Sequence, residues 1–297
     1  MAKLIFGCGY LGLRVARLWL QAGDEVFAVT RSPERAASLK AEGIQPIVAD
    51  ILELAKFSVP AGLTTVLFSV GYDRASGRPI QEVYANGLSR ALAHLAQEPL
   101  RLVYISSTGV YGNVSAHANT TGQEVDEETP CHPTRDGGIA SLAAERCLAA
   151  SPLGNKAVVL RLAGIYGPGR IPRAADLQAG RPINAPARGW LNLIHVDDAA
   201  QIVLSAEQHA PLPRTYVVSD GQPVQRSDYY TELAKLLQAP TPQFVEPPKN
   251  SPAAQRAASD KRINPGRMFA ELNPQLRYAG YREGLAAIID SDRLSLG

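Results

Sequence analysis

Three glycines near the start of the chain have the spacing of a phosphate-binding turn, because the run Gly7-Cys8-Gly9-Tyr10-Leu11-Gly12 reads G-x-G-x-x-G. The first glycine of such a turn permits a tight bend, and the second lets the backbone approach a pyrophosphate. The third lets a helix pack closely against a strand. We therefore expect Gly7, Gly9, Tyr10, Leu11 and Gly12 to bind a dinucleotide at a helix N-terminus.

The residues on either side of this turn support the interpretation. The apolar run 3–6 is typical of a buried parallel strand, and Leu11, Val15 and Leu18 recur at helical spacing after it. The glycine spacing also occurs in ordinary turns, so the order of strand, turn and helix is what favours nucleotide binding.

Basic residues follow the second predicted strand, which covers residues 25–30. Arg31 stands about 20 positions after the turn, where proteins specific for NAD carry an acidic residue for the ribose 2′-hydroxyl. A guanidinium suits a 2′-phosphate instead, so the sequence predicts NADP, preferred over NAD, with Arg31, Ser32 and Arg35 as contacts. The alternative is a solvated arginine at a helix start.

Further cofactor contacts are expected where parallel strands end, because those ends line the nucleotide crevice. Asp50 and Ile51 follow the third strand and are expected against the adenine, although Asp50 could also cap the next turn. Ser69, Val70 and Gly71 close the fourth strand, and Ser106 closes the fifth.

Strand-like runs alternate with helical runs along most of the chain. Strands are predicted over 25–30, 46–49, 65–70, 101–106 and 156–162, and helices over 33–42, 81–97 and 141–150. This alternation predicts an α/β fold, a doubly wound parallel Rossmann sheet over residues 1–165. Residues 166–297 are expected to form a small C-terminal α/β substrate lobe, with 191–218 returning to the Rossmann domain.

Composition excludes several classes of function. The chain has 297 residues, 45% of them hydrophobic and 20% charged, with a formal net charge of +2. We expect neither a nucleic-acid partner nor a membrane segment. The three cysteines match no metal-site spacing, so no metal is expected, and they favour a reducing cytoplasmic location.

Four later blocks, together with the glycine turn, resemble the extended short-chain dehydrogenase/reductase family. They are 105–112 (ISSTGVYG), 125–130 (VDEETP), 161–170 (RLAGIYGPGR) and 194–198 (IHVDD). The family includes NAD(P)-dependent sugar-nucleotide epimerases and dehydratases. The resemblance implies a Rossmann domain with a substrate lobe, a catalytic hydroxyl at Ser107, and a homodimer, here through the helices that flank the fifth strand. Leu88, Leu92 and Leu95 would supply an apolar stripe for that dimer, or else belong to the core.

The chain departs from the family at its catalytic helix, where the usual run is Y-x-x-x-K-x-x-x-E. Aligning that glutamate with Glu145 places Gly137 at the tyrosine and Ser141 at the lysine. None of the chain's tyrosines has a lysine four residues later. In the family the tyrosine is the general acid/base and the lysine lowers its pKa. The chain thus resembles the atypical branch, in which the catalytic tetrad is degraded.

Other side chains are candidates for the lost roles. Tyr72, after the fourth strand, or His132, before the degraded helix, could transfer a proton. The alternatives are a loop aromatic that covers the cofactor and a solvated histidine. Thr108, Arg170 and His195 are candidates for substrate binding, although Arg170 could be a solvated loop charge and His195 stands at a helix start.

Two functions follow from these observations. The first is an epimerase/dehydratase-like oxidoreductase that acts on a sugar nucleotide or related small polyol. The second is a non-catalytic NADP(H)-binding sensor or regulatory protein. A scaffold that keeps the fold for dimerisation alone is disfavoured by the intact glycine spacing.

Overall fold

A computed structural model describes residues 1–54, 57–95, 101–113, 122–249, 251–258 and 260–295. Its strands are Ala2–Phe6 (β1), Glu25–Thr30 (β2), Gln45–Val48 (β3), Leu63–Phe68 (β4), Arg101–Ser107 (β5), Gln123–Val125 (β6), Ala157–Leu162 (β7), Gly164–Tyr166 (β8), Ile183–Asn184 (β9), Trp190–Leu191 (β10), Leu193–His195 (β11), Arg214–Val218 (β12), Val224–Gln225 (β13), Phe244–Val245 (β14) and Lys261–Ile263 (β15). Its helices are Gly12–Gln21 (α1), Pro33–Ala41 (α2), Gly87–Leu95 (α3), Asp136–Ala149 (α4), Ala174–Gln178 (α5), Val196–His209 (α6), Arg226–Leu237 (α7), Pro252–Ala257 (α8), Gly266–Leu272 (α9) and Tyr281–Ser295 (α10).

Seven parallel strands form the central sheet, in the order β12-β7-β5-β4-β1-β2-β3. The chain builds outward from β1 in both directions, so the strand order reverses between β1 and β4. In doubly wound sheets ligands bind outside the carboxyl ends of the strands at this reversal. The predicted doubly wound sheet is confirmed, and its geometry places a crevice beyond Phe6.

Helices cover both faces of the sheet because its strands are apolar on both sides. On one face α1, α2 and α6 bury residues such as Trp19, Leu39 and Ile202. On the other face α3 and α4 bury Leu92 and Leu148. No helix within the described part of the chain combines the length and the apolarity that crossing a bilayer requires.

The leucine stripe considered for a dimer belongs to the core. Leu88, Leu92 and Leu95 are at most 4% exposed and pack with the sheet. The helix expected over 81–97 begins with a π-helical segment, Glu82–Asn86, before α3, and positions 96 and 97 lie outside the described residues. These three leucines are therefore not available to a second copy of the chain.

Helix α4 begins at Asp136, five residues before the expected start at 141. Gly137 and Gly138 weaken the helical pattern of the sequence, since glycine costs a helix about 1 kcal/mol relative to alanine. A Cβ on Gly138 would lie 2.4 Å from the carbonyl oxygen of Gly109. Close contact between the first turn of α4 and the turn after β5 thus requires a glycine that sequence patterns penalise.

The C-terminal part of the chain supplies both a lobe and an edge of the sheet. Tyr166, Leu177, Tyr229, Leu233 and Leu285 form the core of the lobe. Strand β12 pairs with β7 in the main sheet, and α6 joins the sheet's apolar core. Strand β6, beyond β5, pairs in parallel with β15, which lies 138 positions later along the chain at Lys261↔Gln123.

Candidate functional site

A cleft of about 660 Å³ opens at the carboxyl ends of β1, β2, β4 and β5. Its walls combine the glycine turn, the ends of those strands, residues 162–165 at and after the end of β7, and Arg170 of the lobe. Most of the residues expected to bind the cofactor line it: Gly7, Gly9, Tyr10, Leu11, Arg31, Arg35, Ile51, Ser69, Val70, Gly71 and Ser106. Gly12, Ser32 and Asp50 support these walls from behind, as described below.

Each glycine of the turn has a separate steric reason. Gly7 has φ +88°, and a Cβ there would lie 2.5 Å from the carbonyl oxygen of Ser69. A Cβ on Gly12 would lie 2.5 Å from the carbonyl oxygen of Gly7, so this residue fixes the approach of α1 to the turn. A Cβ on Gly9 would meet no atom within 4 Å and would project into open space. The open side at Gly9 is the cradle that a pyrophosphate would fill.

The N-terminus of α1 faces this cradle without a side-chain cap. Leu11 stands at the cap position and makes no side-chain capping hydrogen bond, and α1 has no acidic residue in its first turn. The backbone N–H groups and the helix dipole there favour an anion. The glycine turn and helix end together fit the pyrophosphate of a dinucleotide.

The far end of the cleft carries two arginines. Arg35 donates from Nη2 to the carbonyl oxygen of Cys8 at 3.1 Å, which holds its guanidinium against the glycine turn. Arg31 Nη2 lies 3.3 Å from Asp73 Oδ2, and both side chains are about half exposed. Ser32 caps α2 by accepting from the Arg35 N–H at 3.0 Å and does not line the cleft.

The third strand leads to the side wall of the cleft. Ile51 is buried and lines the wall, and a Cβ on Gly87 would lie 3.1 Å from its Cγ1. Asp50 accepts the Leu52 N–H at 2.8 Å and so closes the turn that presents Ile51. Asp50 therefore takes the capping role that the sequence left open.

Hydroxyl groups gather at the opposite end of the cleft. Ser106, Ser107 and Ser141 line it together, with the rings of Tyr84 and Tyr104. Ser107 Oγ accepts the Gly109 N–H at 3.0 Å, which starts the turn of residues 108–111. Burial raises the pKa of both tyrosines, so these phenols stay protonated at neutral pH.

A buried ion pair fixes this end of the site. Glu145 on α4 accepts from Arg161 Nη2 at 2.7 Å and from Ser106 Oγ at 2.5 Å. Arg161 Nη1 also donates to the Tyr111 hydroxyl at 2.9 Å. This network ties α4, β7 and the turn after β5 together behind the serines. The sequence did not predict this role for Glu145, because its partner Arg161 lies 16 positions away on another element.

The two replacement proton donors lie away from the cleft walls. The Tyr72 hydroxyl donates to the carbonyl oxygen of Arg78 at 2.8 Å, which holds its ring in the loop after β4. His132 is exposed and lines a separate groove with Pro130, Ile139 and Leu142. The backbone of this loop passes close to the turn after Ser107, since a Cβ on Gly112 would lie 1.9 Å from the carbonyl oxygen of His132, but His132 is not among the residues that line the cleft.

The three expected substrate contacts take different places. Arg170 lines the cleft, with its guanidinium 5.4 Å from the ring centre of Tyr10. Thr108 begins the short turn after Ser107 and is not among the cleft-lining residues. His195 caps α6, because its Nδ1 accepts the Asp197 N–H at 3.2 Å.

His195 belongs to the support of the lobe. It is 2% exposed and packs between the rings of Tyr166 and Tyr278. Burial lowers its pKa, so the ring is neutral at neutral pH. Next to it, buried Asp198 accepts the N–H groups of Arg277 and Tyr278 and thereby anchors the segment before α10.

Known proteins resemble this chain in sequence. The model of the NAD dependent epimerase/dehydratase family matches residues 4–219. The chain belongs to that family. Protein YeeZ of Escherichia coli is similar, with 27% identity over 249 residues, 81% of this chain and 85% of YeeZ.

Solved structures give the same assignment of fold. A conserved protein of unknown function from Silicibacter pomeroyi has a TM-score of 0.74 at 28% identity, covering 98% of this chain and 99% of that one. UDP-glucose 4-epimerase of Thermotoga maritima has a TM-score of 0.83 at 18% identity, covering both chains fully. The epimerase shares the family's fold, and its identity to this chain is too low to transfer its substrate.

Proposed function

We propose that this protein is an NADP-dependent oxidoreductase of the epimerase/dehydratase type, which acts on a sugar nucleotide or a related small polyol. The observation that carries the proposal is one continuous cleft with two distinct ends. The glycine turn and two arginines stand at one end, and Ser107 with Ser141 stands at the other. A dinucleotide laid along it would bring its nicotinamide to the serines.

The preference for NADP is supported by the charges around the end of β2. Arg31 and Arg35 line the cleft there, and the residues that follow the strand contain no carboxylate before Glu34. Paired guanidinium donors suit a 2′-phosphate, whereas a ribose 2′-hydroxyl is usually held by a carboxylate. Calorimetric titration tests this preference. We expect Arg31→Ala to weaken NADP binding about tenfold and to leave NAD binding nearly unchanged.

The chemistry proposed for the serine end is limited by the side chains present. When bound, a nicotinamide supplies hydride exchange with a carbon of the substrate. Ser107 would hydrogen-bond a substrate oxygen, and Ser141 would take part of the space of the family lysine. A positioned general base contributes typically 10²–10⁴-fold, so turnover without the tyrosine and lysine should be slow.

A panel of sugar nucleotides and polyols tests turnover. Oxidation is followed by the absorbance of the reduced nicotinamide, and epimerisation, which regenerates the oxidised cofactor, is followed by chromatography of the products. We expect slow oxidation or epimerisation that Ser107→Ala reduces further, and Ser38→Ala, on the exposed side of α2, serves as the matched control. Activity that is unchanged in Ser107→Ala would contradict the catalytic role assigned to this hydroxyl.

A second function is favoured by one specific observation. Ser141, which aligns with the family lysine, is 3% exposed in the cleft wall and carries no charge. A site that binds cofactor without catalysis fits a sensor of NADP(H). The hydrogen-exchange pattern of a sensor would differ between its complexes with NADP and with NADPH. The same pattern in both complexes would contradict a sensor function.

We also propose a cytoplasmic location. Cys8, Cys131 and Cys147 are all free thiols in the structure, which fits a reducing compartment. Burial raises the pKa of Cys8 to about 11, so the thiol within the glycine turn is unreactive at neutral pH.

A further inference from the structure

The loop that follows β8 reaches across to the glycine turn. Gly167 and Arg170 form a tight hairpin, in which each N–H donates to the carbonyl oxygen of the other residue, at 3.2 and 2.9 Å. The carbonyl oxygen of Pro168, within this hairpin, accepts the Tyr10 hydroxyl at 3.1 Å. The loop of residues 167–170 is therefore attached to the residue that directly follows Gly9, the open position of the cradle.

The close approach of this loop depends on a glycine. A Cβ on Gly167 would lie 2.7 Å from the Tyr10 hydroxyl oxygen and 2.6 Å from Val196 Cγ1, so it would push the loop away from both. Gly169, with φ +72°, supplies the left-handed conformation that turns the chain just before Arg170. The loop thus has a defined place beside the glycine turn.

The ring of Tyr10 contacts two guanidinium groups. The Cζ atom of Arg14 lies 4.5 Å from the ring centre, and Asp197 compensates the charge of Arg14 by accepting from its Nε at 2.7 Å. The Cζ atom of Arg170 lies 5.4 Å from the same ring centre. A cation–π contact holds a guanidinium over a ring without using its N–H donors, so those of Arg170 stay available.

The charge of Arg170 is uncompensated among the residues that the structure describes. Its guanidinium makes no hydrogen bond or ion pair with any of them, and its side chain is exposed and lines the cofactor cleft. Arg14 and Arg31, by contrast, are each paired with an aspartate. A guanidinium that is free in the wall of a cleft can donate two parallel charge-assisted hydrogen bonds to phosphate oxygens.

We propose that Arg170 binds the pyrophosphate of the cofactor and that Tyr10 is the positioning residue which holds Arg170 beside it. The glycine turn offers backbone N–H groups to the pyrophosphate, and Arg170 adds the full positive charge that the turn lacks. The inference rests on the proposed function, because it assigns a contact within the proposed cofactor site. It also moves Arg170 from the substrate contacts expected from the sequence to the cofactor contacts. A cofactor held in this way would link the sheet, which carries the glycine turn, to the lobe, which carries Arg170.

Three nucleotides separate a pyrophosphate contact from a 2′-phosphate contact. NADP carries both groups, ADP carries the 5′-diphosphate alone, and 2′-AMP carries the 2′-phosphate alone. We expect Arg170→Gln to weaken the binding of NADP and ADP about tenfold or more, and to keep the affinity for 2′-AMP within about twofold of that of the original protein. Arg31→Ala should show the reverse, with weaker binding of 2′-AMP and unchanged binding of ADP. Calorimetric titration measures each affinity.

Arg282→Gln is the matched control for Arg170→Gln. Arg282 is also exposed, and its Cζ atom lies 4.8 Å from the centre of a tyrosine ring, that of Tyr281, but it does not line the cleft. The affinity for each of the three nucleotides should be unchanged in this variant.

The positioning role of Tyr10 is tested with two further variants. Tyr10→Phe retains the ring and should keep most of the affinity for ADP, whereas Tyr10→Leu should weaken ADP binding several-fold. The double variant Tyr10→Leu/Arg170→Gln should bind ADP no more weakly than Arg170→Gln alone, because the ring acts through the guanidinium. An additional loss in the double variant, as large as that of Tyr10→Leu alone, would overturn the role assigned to Tyr10.

The outcomes separate this inference from the proposed function. If ADP binds Arg170→Gln as tightly as it binds the original protein, the inference is overturned while cofactor binding stands. A loss confined to NADP and 2′-AMP also overturns it, because Arg170 would then act at the 2′-phosphate. If neither NADP nor NAD binds the original protein, the proposed function fails and ADP alone decides: weaker binding to Arg170→Gln supports the inference, and no binding to the original protein overturns it. Thermal denaturation of each variant verifies that it is folded before titration.

Discussion

Arg31 Nη2 and Asp73 Oδ2 lie 3.3 Å apart, so an ion pair joins the end of β2 to the loop after β4 at the mouth of the cleft. A cofactor 2′-phosphate at this place would compete with the Asp73 carboxylate for the same guanidinium. The preference between NADP and NAD therefore depends on the loop after β4, which carries both Asp73 and Tyr72.

We expect Asp73→Asn to tighten NADP binding and to leave NAD binding unchanged, because the variant frees Arg31 without altering the glycine turn. An exposed ion pair contributes about 0.2–1 kcal/mol, so the gain should be at most about fivefold. Calorimetry with both cofactors measures it. Glu53→Gln, at an exposed carboxylate 3.9 Å from Arg78, is the control. Weaker NADP binding in Asp73→Asn would contradict competition for Arg31.

Two glycines of the turn should respond differently to the same added methyl group. Gly9→Ala places a Cβ in the open cradle, so we expect normal stability and an approximately tenfold or greater loss of cofactor affinity. Gly12→Ala forces a Cβ against the Gly7 carbonyl, so it should lower the free energy of unfolding by about 1–3 kcal/mol. Urea denaturation and cofactor titration of both variants test the contrast. Equal stability losses at the two positions would argue against it.

Removal of one member of the Glu145–Arg161 ion pair should strongly destabilise the folded protein. Both side chains are at most 10% exposed, so Arg161→Met leaves a carboxylate buried without its counter-charge. We expect a loss of about 3–5 kcal/mol in the free energy of unfolding. The double variant Glu145→Leu/Arg161→Met should recover much of it, and Tyr111→Phe, which removes one hydrogen bond, should cost about 1 kcal/mol. A double variant less stable than Arg161→Met would refute this account.

Asp220 should make folding stability depend on pH. Burial, together with the nearby charges of Asp198 and Glu283, raises its pKa from 3.8 to about 7. Because the folded state binds this proton more tightly than the unfolded state, the contribution is full below pH 4 and is lost as the pH rises through 7. We expect Asp220→Asn to gain stability relative to the original protein at pH 8 more than at pH 5. Urea denaturation of both proteins at pH 5 and pH 8 measures this gain. An equal gain in the free energy of unfolding at the two pH values would disprove the prediction.

The fold could be predicted from local pattern because its signals are local. Each signal comes from residues that are close together in the sequence: the glycine spacing, the apolar strands, and the order of strands and helices. The observed sheet confirms the predicted order of strands and helices. The predicted start of α4 was too late, because Gly137 and Gly138 lower the helix propensity of its first turn. Gly138 is needed there for the close contact with Gly109 on another element, which helix propensity does not take into account.

The same distinction applies to the site. The glycine turn, Arg31, Arg35 and Ser107 follow strand ends, so their place on the cleft was foreseeable. Tyr84 was missed, because it is carried on a π-helical turn, a form that sequence periodicity does not predict. Tyr72 follows the expected strand and His132 precedes the expected helix, but neither side chain lines the cleft, because loop conformation is not specified by sequence patterns.

The parallel pairing of β15 with β6 has a consequence for biosynthesis. Synthesis of the nucleotide-binding half is complete before residues 261–263 are made, so β6 stays without this partner until the growing chain has been extended by 138 further positions. A chain that stopped between residues 219 and 260 would therefore contain the glycine turn and all seven strands of the central sheet but lack the strand that pairs with β6.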